Sequence, residues 1–211
     1  MDTKRDFLHD FFNVALQGRT YLNLLYLLIM FPLGIIYFTL VVTGLSISIS
    51  LLILIIGILI AALFLLLARG VSSLHLLFAS ALLGFDLPPK VETSPTNKGF
   101  FDYLKRILSE GKTYTGMVYM FLELPLGIIY FTLIITFLSV SISFAFSPLL
   151  WILNDEGIIY LSGDNWIWNE DFGNTIFLSL AGIVLFFGTL HLGNLLAKVE
   201  EFLCKNLLMR I

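Results

Sequence analysis

Pro32-Leu-Gly-Ile-Ile-Tyr-Phe-Thr-Leu40 returns, residue for residue, as Pro125-Leu-Gly-Ile-Ile-Tyr-Phe-Thr-Leu133. The likeness extends outward from this core: at an offset of 93, Gly18–Ser50 and Gly111–Ser143 agree at 19 of 33 positions. Each copy lies inside an apolar run long enough to cross a bilayer, which takes roughly 20 residues of helix. The chain therefore reads as a duplicated membrane module.

Composition points the same way. Of the 211 residues, 58% are hydrophobic and only 13% charged, too little polar surface for a soluble domain of this size. Four runs are long enough to span: about 21–44, 50–68, 114–138 and 175–197. The first two are separated only by Gly44 and the alternation Ser46-Ile-Ser48-Ile-Ser50, a small polar turn in a tight hairpin. The predicted architecture is an all-α membrane protein of four transmembrane helices, arranged as two parallel-repeat hairpins. Residues 1–85 form the first module, 86–99 a linker with Pro88, Pro89 and Pro95, and 100–211 the second module. The opening Met1-Asp-Thr-Lys-Arg-Asp lacks the order of a cleaved signal peptide.

Charge sets the orientation. All twelve Lys and Arg fall in the N-terminal segment, the stretch between the second and third runs, and the C-terminal segment. Positive charge stays on the cytoplasmic side during insertion, so both termini and the linker are expected to be cytoplasmic in a multi-pass protein of the cell membrane. Phe7–Gln17 and Phe100–Glu110 show apolar residues near helical spacing ahead of each module, and Arg69–Gly84 and Lys198–Leu208 follow the second and fourth runs. These are expected to be amphipathic helices at the inner interface.

The modules differ on the outer side, where about thirty extra residues occupy roughly 146–174. This loop holds five acids, three tryptophans and no base, and Ile158–Leu161 and Trp166–Trp168 flank a Ser-Gly-Asp-Asn turn that reads as a short β-hairpin. Trp151, Asp164, Trp166 and Trp168 are its candidate recognition residues; anchoring at the interface is the plainer role for the tryptophans.

Within the membrane, Pro32 and Pro125 lie about 16 Å inside Tyr21 and Tyr114 at 1.5 Å per residue, near the midplane. Each removes a backbone donor, and Gly34 and Gly127 permit a neighbouring helix to come close. These four are candidate packing or hinge positions. Glu123 breaks the repeat, since its counterpart is Met30. An ionisable group at that depth faces protein, a partner or water. His191, on the fourth run, is the candidate partner for Glu123.

No catalytic constellation emerges, so an enzyme is not expected. His9, His75 and His191 are dispersed, with no His-Glu-x-x-His spacing and no cysteine pair, so no metal or other cofactor is expected. Cys204 stands alone on the last amphipathic segment, where a reduced thiol is expected. Nothing suggests nucleic-acid binding.

A Thr-Tyr entry, a mid-helix Pro-Leu-Gly, Ala68-Arg-Gly70 leading to Ala81-Leu-Leu-Gly84, and a second Pro-Leu-Gly hairpin occur here in that order. This order resembles the sensor domain found ahead of the kinase core in some bacterial sensor histidine kinases and as a free-standing membrane protein. Relatives tend to carry charges after the Ala-Arg-Gly, where this chain has Ser72-Ser-Leu-His-Leu-Leu77. The resemblance implies a non-catalytic sensor or regulatory module. No phospho-acceptor helix or ATP-binding domain precedes Ile211, so a separate cytoplasmic kinase or transcription regulator is the expected output partner. The lipid bilayer and a homo-oligomer are the other expected associations. The alternative is a small oligomeric transporter, channel or lipid-binding protein using Glu123.

Overall fold

The computed structural model describes residues 11–51, 56–87, 111–155 and 172–209. Helices account for nearly all of them: α1 (Gly18–Leu51), α2 (Ile56–Leu83), α3 (Gly111–Ala145), α4 (Ser147–Asp155) and α5 (Phe172–Cys204), which runs on into a π-helical turn, Lys205–Met209. Spans at Gly18–Leu51, Leu59–Leu83, Thr113–Ala145 and Phe172–Met209 are long and apolar enough to cross a membrane. Between 17% and 33% of each apolar window is buried within the protein, so most of each window lies on the protein's surface. This is the four-helix membrane protein that the apolar runs imply. The predicted β-hairpin with Asp164, Trp166 and Trp168, the surface helix at 100–110 and the linker beyond Leu87 lie outside the described residues.

Several helices run further than the apolar runs do. α1 passes through Gly44 and the Ser-Ile-Ser alternation without a break and ends at Leu51. Serine in a helix needs only a nearby carbonyl for its hydroxyl, so the alternation alone does not force a turn. α2 likewise continues past Arg69-Gly70 to Leu83 rather than starting a separate surface helix. It stops at Gly84, whose φ of 65° lets its N–H reach the Ser80 carbonyl at 2.7 Å, a glycine cap. At the N-terminal end, Gln17 is extended (φ −85°, ψ 109°) between the 3-10 turn Val14–Leu16 and α1. The bend into the membrane is thus made one residue before Gly18.

The chain forms two compact units, one of residues 1–21 and 132–194, the other of 22–131 and 195–211. In the first, α5 lies against the end of α3: Ser179 donates to the Ala145 carbonyl (2.8 Å) and Ser147 to the Thr175 carbonyl (2.8 Å). Phe11 and Phe12 pack on Phe187, with ring centroids 5.8 and 4.7 Å away.

The second unit is organised by one helix crossing. A Cβ built on Gly34 of α1 would lie 2.8 Å from Leu124 Cα and 2.9 Å from the Glu123 carbonyl oxygen. A Cβ on Gly127 of α3 would lie 2.9 Å from Phe31 Cα and 3.0 Å from the Met30 carbonyl oxygen. Gly34 and Gly127, Phe31 and Leu124, and Met30 and Glu123 are all equivalent at the offset of 93. Each glycine therefore meets the repeat-equivalents of what the other meets, so the duplicated sequence packs against itself about a local two-fold axis. Backbones this close exclude any side chain, which is why small residues mark tight crossings in membranes. Phe31–Phe131 (4.9 Å) and Phe38–Phe121 (5.1 Å) add ring contacts between the two helices. α2 completes the bundle: Phe64 covers Gly44 on α1, and Phe64, Leu65 and Ala68 pack with Leu40 and Met117. Pro32 and Pro125 lie inside the continuous helices α1 and α3.

Gly34→Ala and Gly127→Ala are each expected to lower stability by about 1–3 kcal/mol, the usual cost of overpacking. Gly70 has nothing within 4 Å of its would-be Cβ, so Gly70→Ala should raise stability by about 0.5–1 kcal/mol through helix propensity. Reversible unfolding in mild detergent checks all three. A Gly127→Ala protein as stable as the parent would contradict the crossing.

Candidate functional site

The repeat that crosses at its glycines also carries a tyrosine eight residues earlier in each copy, Tyr26 and Tyr119. Eight residues correspond to about 12 Å of helix, which brings both tyrosines to the same level beyond the crossing. α2 brings His75 to that level. Its Nε2 lies 3.2 Å from the Tyr26 hydroxyl and 2.8 Å from the Tyr119 hydroxyl. One imidazole nitrogen thus serves two repeat-equivalent phenols.

The last turns of α5 supply the rest. Tyr119 donates a short hydrogen bond to Glu200 Oε1, and its hydroxyl lies 3.3 Å from Cys204 Sγ. Glu200 and Cys204 are one helical turn apart and share a face, with Sγ 3.8 Å from Oε1. On the other side of the imidazole, Nδ1 stands 3.3 Å from Glu123 Oε1. Tyr37 meets the His75 ring edge-on, centroids 5.5 Å apart at 83°, and so fixes the plane of the imidazole. Tyr26, His75, Tyr119, Glu123, Glu200 and Cys204 are each at most 1% exposed.

Tyr119 is the hub. Its hydroxyl has a single proton and meets a carboxyl, an imidazole and a thiol; which atom donates at Nε2 is set by the histidine tautomer. His75 Nδ1 and the Glu123 carboxyl have no hydrogen-bond partner among the described residues other than each other, at 3.3 Å. Buried polar atoms are nearly always satisfied, and this pair is satisfied when one proton is shared between the imidazole and the carboxyl. Here the protein holds two carboxyls, an imidazole, a thiol and phenols in a volume closed to solvent.

The other sequence candidates fall elsewhere. His191 Nε2 stands 3.2 Å from the Phe11 carbonyl oxygen, and its ring stacks on Phe11 at 5.2 Å. Trp151 lies on α4, half-buried, its ring 5.3 Å from Phe172. Gly34 and Gly127 form the crossing, and Glu123 is at once a backbone neighbour of Gly34 and a side-chain neighbour of His75. Sequence reasoning did not single out Tyr26, Tyr119, His75 or Glu200 as site residues. The recurrence of Tyr26 as Tyr119 and of Tyr37 as Tyr130 at the offset of 93 was the available signal. Glu200 was masked by its neighbour: Glu201 faces outward and pairs with Lys205 at 2.5 Å, while Glu200 turns inward.

A family model described as "Putative sensor" matches residues 26–208. Neither the curated proteins nor the solved structures contain a match to this chain. The matched stretch includes every residue of the buried cluster.

Tyr119→Phe and Glu200→Gln are each expected to cost about 1–3 kcal/mol, because each leaves a buried partner unsatisfied. As members of one network they should be non-additive by about 0.5–3 kcal/mol, the double variant losing less than the sum. Detergent unfolding of the four proteins closes the cycle; strict additivity would separate Tyr119 from Glu200.

Proposed function

We propose that this chain, which belongs to the sensor family its residues 26–208 match, passes a condition of the membrane or the outer side to a separate cytoplasmic protein. The observation that carries this reading is the bond from Tyr119 to Glu200. Through it, the inward face of the last turns of α5 is fastened to the helices α1, α2 and α3. The outward face of the same turns is free to meet a partner: Phe202 is 66% exposed, and Val199 and Lys205 are exposed beside it. A stimulus that rearranges the buried cluster changes how firmly these turns are held. The positive charges clustered at the termini and the linker support a cytoplasmic location for that face.

A two-state element biased from one side and read on another is what a sensor requires. The cluster supplies the polar groups to be biased, and the α5 terminus supplies the reading surface. Lys205 adds a second tie, its Nζ lying 5.3 Å from the Phe85 ring centroid just beyond α2.

Hydrogen exchange of the full chain in lipid nanodiscs tests the coupling. Tyr119→Phe should raise exchange at least about fivefold over residues 198–208, since local opening follows the loss of local ties, and leave the middle of α1 unchanged. Unchanged exchange at 198–208 would contradict the reading. Co-purification from native membranes should yield a stoichiometric cytoplasmic regulator that Phe202→Glu releases.

A further inference from the structure

His75 Nε2, a Glu200 carboxylate oxygen and Cys204 Sγ lie within 4.8 Å of one another. An imidazole, a carboxylate and a thiol, all from side chains at most 1% exposed, make a ligand set rather than a packing arrangement. We propose that these three groups bind one zinc-class divalent cation, with Glu123 as the outer carboxylate that orients His75.

Two adjustments are needed: the ligand atoms close together, and the Tyr119 hydroxyl that stands among them gives way. Ligand atoms around tetrahedral zinc stand roughly 3.3–3.8 Å apart, so the set closes by about 1 Å. Glu200 and Cys204, four residues apart on α5, present two donors from one helix face; His75 on α2 supplies the third. The Tyr119 hydroxyl, neighbour to all three, stands at the centre of the set, so cation binding displaces it and breaks its bond to Glu200.

The placement of Glu123 is the second observation. His75 Nδ1 and Glu123 Oε1, 3.3 Å apart, become a carboxylate–histidine–metal triad. Such outer carboxylates fix the tautomer and orientation of a ligating histidine. On coordination, the ring nitrogen facing Glu200 and Cys204 gives its electron pair to the ion, the imidazole hydrogen sits on Nδ1 where Glu123 accepts it, and the Cys204 proton is released as the ion enters.

Charge and softness narrow the ion. A divalent cation offsets the charges of the thiolate and the ligating carboxylate and leaves only that of the outer Glu123, far less than the same groups would carry ionised without it, which suits burial among membrane-spanning helices. Thiolate and imidazole disfavour magnesium and calcium, which prefer all-oxygen shells. A small cavity of about 30 Å³, lined by Arg69, Ser72, Ser73, Leu76 and Leu208, lies nearby. Ser72 lies one turn before His75, and Leu208 one turn after Cys204.

Binding stands on this geometry; only the notion that the ion is a stimulus rests on the sensor reading. The test is therefore made with metal alone. Full-length protein in detergent, stripped with a chelator, is titrated with Co2+ and then with Zn2+. One equivalent of Co2+ should produce a thiolate-to-cobalt absorption band, and Zn2+ should displace it with a Kd at or below about 1 µM. Cys204→Ser should abolish the band, and Glu123→Gln should keep the band while weakening binding about 10–100-fold. X-ray absorption at the zinc edge of the unmodified protein covers the case in which Cys204→Ser misfolds: it should show one sulfur among nitrogen and oxygen neighbours. A Kd weaker than about 0.1 mM, or a shell without sulfur, overturns the site and leaves the α5 exchange experiment untouched.

Discussion

Two helices that carry the same sequence touch backbone to backbone, and everything else in the described bundle is arranged around that contact. At Gly34 and Gly127 a Cβ would meet main-chain atoms of the opposite helix at 2.8–3.1 Å, so the crossing admits glycine alone. Lipid offers no hydrophobic drive for helices to associate; close van der Waals contact and polar ties must do it. The crossing provides the first. By fixing the rotation of α1 and α3 about their axes, it also provides the second, because Tyr26 and Tyr119 then face one another two turns away, with His75 between them.

The duplication explains the frame but not the site. Packing about a local two-fold axis would be served by any pair of apolar residues at 30 and 123, yet one copy has Met30 and the other Glu123. His75 from α2 and Glu200 from α5 likewise bind to the repeated tyrosines without being part of that repeat. The polar cluster is therefore the point at which the two copies stop being equivalent. A buried carboxyl is costly among membrane-spanning helices, and two of them within reach of one imidazole are costlier still. A site that keeps them close trades stability for responsiveness, as functional sites often do.

Much of the fold was legible because membrane spans declare themselves by length and composition. The four spanning helices follow from local sequence, in which Gly34, Gly127 and Glu123 stand out. Helix ends were less legible. Gly44, Ser46–Ser50 and Arg69-Gly70 look like interruptions, but a helix needs its internal carbonyl–amide ladder more than it needs uniform hydropathy, and none of those residues breaks the ladder. The partner of Glu123 depends on which faces α2 and α5 turn inward. A helix apolar all round gives no such indication, so His75 on α2 looked like one polar residue on a surface helix. Glu200 and Glu201 are adjacent acids with opposite destinations, and only packing distinguishes them.

The central claim is that His75 sits between the two repeat-equivalent tyrosines, with Glu123 and the α5 terminus at either side. Solid-state NMR of the protein in lipid bilayers, with histidine ring nitrogens and tyrosine ring carbons labelled, measures this directly. His75 Nε2, assigned by its loss in His75→Gln, should show dipolar contacts to the Cζ atoms of both Tyr26 and Tyr119, in an environment protected from deuterium exchange. A His75 ring that exchanges freely and contacts neither tyrosine would contradict the arrangement.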